Sequence, residues 1–330
     1  MDKDTTILSV PKAWSELTWQ QLTDVWQAKL RYAVRPDVAR AAALLSLCSL
    51  VPVHAQESER NSTTGERLYY LCKQSDPGAC YSVSARTLAY YAKKAIPWFD
   101  FPYGDRGEKE MRDDKGKVVR ERRDAVRGYV SPMRDAMMLP QEKLEVGGFV
   151  FELPQACCAN LTFEQYRALQ GITSQLFQEG NTEEQAADLQ TRFLANCLVP
   201  EQENPNKDRF MPKQIFRYDS LRAEGLVPFF RLHINACPTL FPICFQVYQT
   251  AMAYYEEVYP LLFSGEGKHD PLRDALTSEA GTINTIMKYQ GYSDPQSVYD
   301  ANLPVILDVL NTMSKEAKEI EKMNAKIKRR

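Results

Sequence analysis

Three histidines, His54, His233 and His269, are the only imidazoles available for acid–base work or for activating a Ser or Cys nucleophile. None sits in a nucleophile motif. Gly265-Glu266-Gly267-Lys268 superficially resembles a phosphate loop, but it lacks GxxxxGK(S/T) spacing and places His269 where Ser or Thr would bind magnesium. Cys72 with Cys80, and His233 with Cys237 and Cys244, offer metal-ligand chemistry, yet their spacing is irregular and no CxxC pair exists. The carboxylates fall on the exposed faces of expected helices. The expectation is a non-enzymatic protein with no catalytic residue, no metal and no cofactor. An unrecognised enzyme would instead need a deep pocket with converging polar groups and perturbed pKa values.

The chain that must position such groups has 330 residues, long enough for two or three domains at about 100 to 200 residues each. With 44% hydrophobic and 25% charged residues and a net charge of −2, it has no general electrostatic attraction for nucleic acid or an anionic membrane. Its longest apolar run, Ala41 to Val53, is interrupted by Ser46, Ser49 and Pro52 and falls short of the roughly 18 residues of a membrane span. Eight cysteines are too few for a disulfide-stapled secreted domain, so reduced thiols are expected, with Cys48 and Cys197 packed as small hydrophobes.

An internal repeat sets the organisation. Thr5 to Pro52 and Gly148 to Pro200 run through the same events: a short apolar strand, Pro, a turn, Leu-Thr-aromatic-x-Gln, an amphipathic helix, a polar turn, a second helix and Leu-Val-Pro. Thr18 with Gln21, Thr162 with Gln165 and Thr182 with Gln185 have capping-box spacing, which predicts three helix starts. Leu22, Val25, Trp26 and Leu30, and Tyr166, Leu169, Ile172 and Leu176, then recur on one helical face. Pro36-Asp37 opens the other second helix. Leu-Val-Pro is expected to end both second helices, because proline cannot continue the ladder. A third helix is expected in each copy, where Ala89-Tyr90-Tyr91 resembles Ala253-Tyr254-Tyr255, with Pro97 and Pro260 closing the two segments.

The stretch "RAAALLSLCSLVPVHAQE" (Arg40 to Glu57) has the composition of an export signal. Its counterpart, "TRFLANCLVPEQE", occupies the same place in the second copy, and 40 residues with a strand and a capped helix precede it. It therefore reads as a buried second helix, and the expected location is the cytoplasm.

Two regions fall outside the repeat. Asp105 to Arg127 holds 16 charged residues in 23, with a net charge of +2, and reads as a solvated hairpin or loop. In the tail, Ser293-Asp294-Pro295 starts a helix, and a longer one begins near Pro304. Along it Ile306, Val309, Leu310, Met313, Ala317, Ile320, Met323 and Ile327 form a stripe, with Lys322, Lys326, Lys328, Arg329 and Arg330 at its end. The expected fold is mostly α with small β elements (α+β). It divides into a first repeat (1–103), a charged connection (104–143), a second repeat (144–263) and a helical C-terminal segment (264–330).

"TIMKYQGYSDPQSVYDANLPVILDVLNTM" (Thr285 to Met313) resembles an element of small bacteriophage tail-assembly proteins, in which an aromatic-Gly-aromatic stop precedes a Pro-started short helix and a longer amphipathic one. "VPKAWSELTWQQL" (Val10 to Leu22) is similar to the strand, Pro, Trp and Leu-Thr-x-x-Gln opening of phage tail proteins and tail-assembly chaperones. Together these cover about a third of the chain, and the duplicated body is larger than the short chaperones. The resemblance implies a protein of a phage or prophage tail module that binds another chain, an apolar tape-measure protein in the chaperone case. It would act in the host cytoplasm as a chaperone, or in the virion as a connector or baseplate adaptor. Homo-oligomerisation is compatible with both. The expected contact residues are Ile306, Leu310, Met313, Ile320, Met323 and Ile327 on the last helix, and the paired Tyr91 and Tyr255.

Overall fold

The computed structural model describes residues 10–53, 65, 68–100, 108–112, 118–122, 139–204, 212–263 and 279–328. They form a mostly helical protein with small antiparallel sheets. The chain divides into two compact units, residues 1–140 with 238–243, and residues 141–237 with 244–330.

The first unit begins with a 3-10 turn, Trp14–Glu16, and then α1 (Trp19–Arg31), whose capping box forms as expected: Thr18 Oγ1 accepts the Gln21 N–H and Gln21 Oε1 accepts the Thr18 N–H. α2 (Pro36–Leu47) packs against α1 through Ala39, Ala43, Leu44 and Leu47. β1 (Leu50–Val53), β2 (Leu68–Lys73) and β3 (Asp76–Ser84) make an antiparallel sheet in sequence order, and α3 (Ala85–Ala95) returns onto α2. Two tryptophans fasten the N-terminal turn to the end of the unit. Trp14 Nε1 donates to the Trp98 carbonyl at 3.0 Å, and Trp98 Nε1 donates to the Pro11 carbonyl at 2.9 Å.

In the second copy the helix ends at Leu-Val-Pro as expected, with Cys197 its last residue and Leu198 its C-cap, but in the first copy it does not. α2 stops earlier because Ser49 takes a left-handed φ of 52°, and Leu50-Val51-Pro52 opens β1. The expected strand at Thr5 to Val10 falls almost wholly outside the described residues. Within the charged connection, β4 (Glu108–Arg112) and β5 (Val118–Arg122) pair antiparallel, which makes it a hairpin. The register sets Glu108 opposite Arg122, Lys109 opposite Glu121 and Glu110 opposite Arg120.

The second unit opens with β6 (Lys143–Val146) and β7 (Phe149–Glu152), joined by Gly147 and Gly148 at φ of 56° and 83°. Two consecutive positive φ values suit the twist of a two-residue hairpin. Ala156–Cys158 is a 3-10 turn, followed by α4 (Phe163–Leu176) and α5 (Glu183–Cys197), each started by its capping box. β8 (Val199–Glu203) pairs with β7 and β9 (Gln214–Phe216), and α6 (Ser220–His233) folds back on α5. α7 (Leu240–Val258), whose residues 240–243 group with the first unit, precedes α8 (Pro260–Phe263), α9 (Glu279–Gln290), α10 (Pro295–Tyr299) and α11 (Leu303–Lys328). The start of α11 is tied to the start of α4: Phe163 N–H donates to Ala301 O at 2.9 Å and Leu303 N–H to Leu161 O at 2.8 Å.

Both copies therefore read 3-10 turn, capped helix, second helix, antiparallel strands, third helix. The third helices are α3 and α6. Tyr255 lies on α7, so the two Ala-Tyr-Tyr motifs occupy different elements, and that correspondence is corrected. Residues 264–330 do not stand apart as a segment, since α9 to α11 belong to the second unit. The thiol expectation also needs one correction: Cys48, Cys157, Cys158, Cys197, Cys237 and Cys244 are in no disulfide, but Cys72 is disulfide-bonded. The β2–β3 register places Cys80 opposite it.

Candidate functional site

Among the groups considered for chemistry, His54, His269 and Gly265 to Lys268 lie outside the described residues. His233 is held structurally: its ring stacks on Phe229, with centroids 4.2 Å apart, and Nδ1 donates to the Phe229 carbonyl at 2.9 Å. Its Nε2 lies 2.5 Å from where a Cβ on Gly147 would stand, so the β6–β7 turn and the end of α6 fit only because residue 147 has no side chain. Among the described residues no group of three or more His, Cys, Asp or Glu is placed to hold a metal ion. Nor is any described helix long and apolar enough to cross a membrane.

The proposed contact stripe on α11 divides in two. Ile306 is fully buried and Met313 is 9% exposed, Leu310 is half-buried, and Leu303, Leu307 and Val309 are buried with them. Ile306 and Met313 are therefore core of the second unit, which corrects their assignment to a free surface. Tyr255 is core too: its hydroxyl donates to Cys157 O at 2.6 Å, its ring stacks on Tyr259, and burial raises its pKa. Beyond the half-buried Ala317 the stripe continues into solvent, with Ile320 55% and Met323 56% exposed. The Ile327 side chain lies outside the described residues. Tyr91, on α3 of the first unit, is exposed, with the Tyr90 ring 5.7 Å away in an edge-on arrangement.

A further surface feature, in the second unit, had no signal in the hydrophobic pattern. α5 forms the floor of an open trough of about 1330 Å3, with α4 on one side and α6 and residues 234–235 on the other. The α4 wall is a stripe of Glu164, Arg167, Ala168, Gly171, Ile172 and Gln175 at helical spacing, polar or small almost throughout. Asp188 on the floor accepts from Arg192 Nε at 2.7 Å and from Arg231, and Arg192 reaches Glu224 at 3.2 Å. The hydrogen bond from Arg192 is the chief cause that holds the Asp188 carboxyl below its usual pKa. At one end Gln165 Nε2 donates to Asn196 O at 3.0 Å and the Tyr218 hydroxyl donates to Asn196 Oδ1 at 2.6 Å, with burial raising the Tyr218 pKa. With Asp188, Arg192, Glu224 and Arg231 paired in this way, the trough offers mixed-sign hydrogen bonding.

No known protein family, curated protein or solved structure matches the chain.

Proposed function

We propose that the protein is a non-enzymatic, partner-binding component of a phage tail module, which holds an apolar chain such as a tape-measure protein during assembly. The observation that carries the partner-binding part is α11. Its apolar stripe anchors the helix in its own unit as far as Met313 and then presents Ile320 and Met323, in helical register, to solvent. Exposed apolar side chains on a preformed helix suit helix-in-groove or helix-on-helix binding. The tail context rests on the resemblance of Val10 to Leu22 and Thr285 to Met313.

Co-expression with the neighbouring tail genes, followed by pull-down, tests the reading. A stoichiometric partner is expected, lost on Ile320→Asp with Met323→Asp while thermal stability stays within about 0.5 kcal/mol of the parent, as for surface substitutions. Recovery of the protein alone at every stage overturns it. The duplicated module favours one second reading, a structural connector or adaptor of the tail in which the two copies meet repeated partners. Purified particles separate the two: a chaperone is absent from them, whereas an adaptor is present at fixed copy number.

A further inference from the structure

In the first unit a lysine ammonium sits among three aromatic rings drawn from three stretches of chain. Lys29 Nζ lies 5.1 Å from the ring centroid of Trp14, 5.0 Å from that of Trp26 and 4.7 Å from that of Phe99. The rings are 3%, 8% and 3% exposed, whereas Lys29 itself is half-buried, so the cage is screened from bulk water yet open where the lysine enters it. Its walls are fixed independently of the lysine. Trp14 is pinned by its bond to Trp98 O, and Phe99 belongs to the 3-10 turn Pro97–Asp100 that carries Trp98. Trp26 stands one helical turn before Lys29 on α1.

Each aromatic face carries the negative lobe of a ring quadrupole, and three such faces around a desolvated point favour a cation over a neutral group of the same size. We propose that Trp14, Trp26 and Phe99 form an alkylammonium-binding cage whose resident occupant is Lys29, and that the cage takes an external trimethylammonium group once this side chain is shortened. A purely structural contact would instead be replaced equally well by any filler of matching volume.

The full-length Lys29→Ala protein, titrated with choline and with its neutral isostere 3,3-dimethyl-1-butanol, distinguishes the two. All four tryptophans, at positions 14, 19, 26 and 98, lie in this unit, so intrinsic fluorescence reads the cage directly. Saturable quenching by choline, a raised thermal midpoint, and a Kd at least roughly ten-fold below that of the alcohol are expected. Binding should be weaker in the parent, where Lys29 competes. Equal affinity for the two compounds, or a folded variant that binds neither, overturns the proposal. Should Lys29→Ala fail to fold, NMR of the 13C-lysine-labelled parent decides: ring-current displacement of the Lys29 ε-methylene signal supports the cage, and a signal at the random-coil position rejects it.

Discussion

Aligned on Thr18 and Thr162, the two copies of the helical module start identically and then bury different chemistry. The position of Trp14 is matched by Cys158, that of Trp26 by Gln170 and that of Lys29 by Thr173. The first copy closes around an aromatic box with a cation inside. In the second, the Cys158 thiol is wholly buried and its pKa pushed up by that burial, while Cys197, hydrogen-bonded to Cys244, is raised as well. Shared between them are the capping box of the first helix, the 3-10 turn before it, and extended chain after the second helix. A module of this kind is held in register by its capped first helix and tolerates very different interiors behind it.

The strongest challenge to that view is Trp14→Ala against Cys158→Ala. The first should cost about 3–5 kcal/mol by removing a large buried ring and a cage wall, the second about 1 kcal/mol. Urea unfolding followed by tryptophan fluorescence and by circular dichroism measures both, since fluorescence reports the first unit alone. Equal losses would mean that the two interiors are not organised differently. Next in size is Gly147→Ala, expected to cost about 1–3 kcal/mol from its positive φ and its collision with His233. Gly148→Ala, with open space around it, should cost about 1–2 kcal/mol, and His233→Ala should restore part of the loss at 147. Thr18→Ala and Thr162→Ala should each cost about 1 kcal/mol, and equally, because the cap is the part held in common.

The smallest effect concerns charge. The folded pKa of Asp188 is depressed, so its stabilisation is present above the unfolded value of about 4 and is lost as pH falls through the lower folded value. Arg192 and Arg231 are substantially exposed, so Asp188→Asn should cost under about 1 kcal/mol at pH 7. That difference should vanish at strongly acid pH, as thermal melts across the acid range would show.

The features legible in the sequence were those with a local cause. The three capping boxes, the Pro36 and Pro295 helix starts, the mostly helical class and the hairpin character of the charged connection all depend on residues within a few positions of one another. Where the reading failed, a tertiary decision had intervened. Leu-Val-Pro does stop α5, at Leu198, but in the first copy Ser49 turns the chain before it, and in both copies the proline is absorbed into a strand, β1 or β8. The apolar period along α11 is continuous, and nothing in it marks where the stripe passes from the core at Met313 to the exposed Ile320. The trough along α5 was invisible for the opposite reason: its α4 wall is small or polar, so hydrophobic periodicity has nothing to register. The aromatic cage brings together Trp14, Trp26 and Phe99, and no local pattern links the first two to the third.

The tie between α4 and α11 has a mechanical side. α11 is a rod of about 39 Å at 1.5 Å per residue, and the chain that enters it, Ala301 to Leu303, is bound by two backbone hydrogen bonds to the chain that enters α4. A partner pulling on the exposed end would load that joint with a long moment arm, while the buried turns from Leu303 to Met313 act as the bearing. Force would thus enter the second unit along the packed turns of α11, against α8 and α9, as well as at the threonine-capped start of α4.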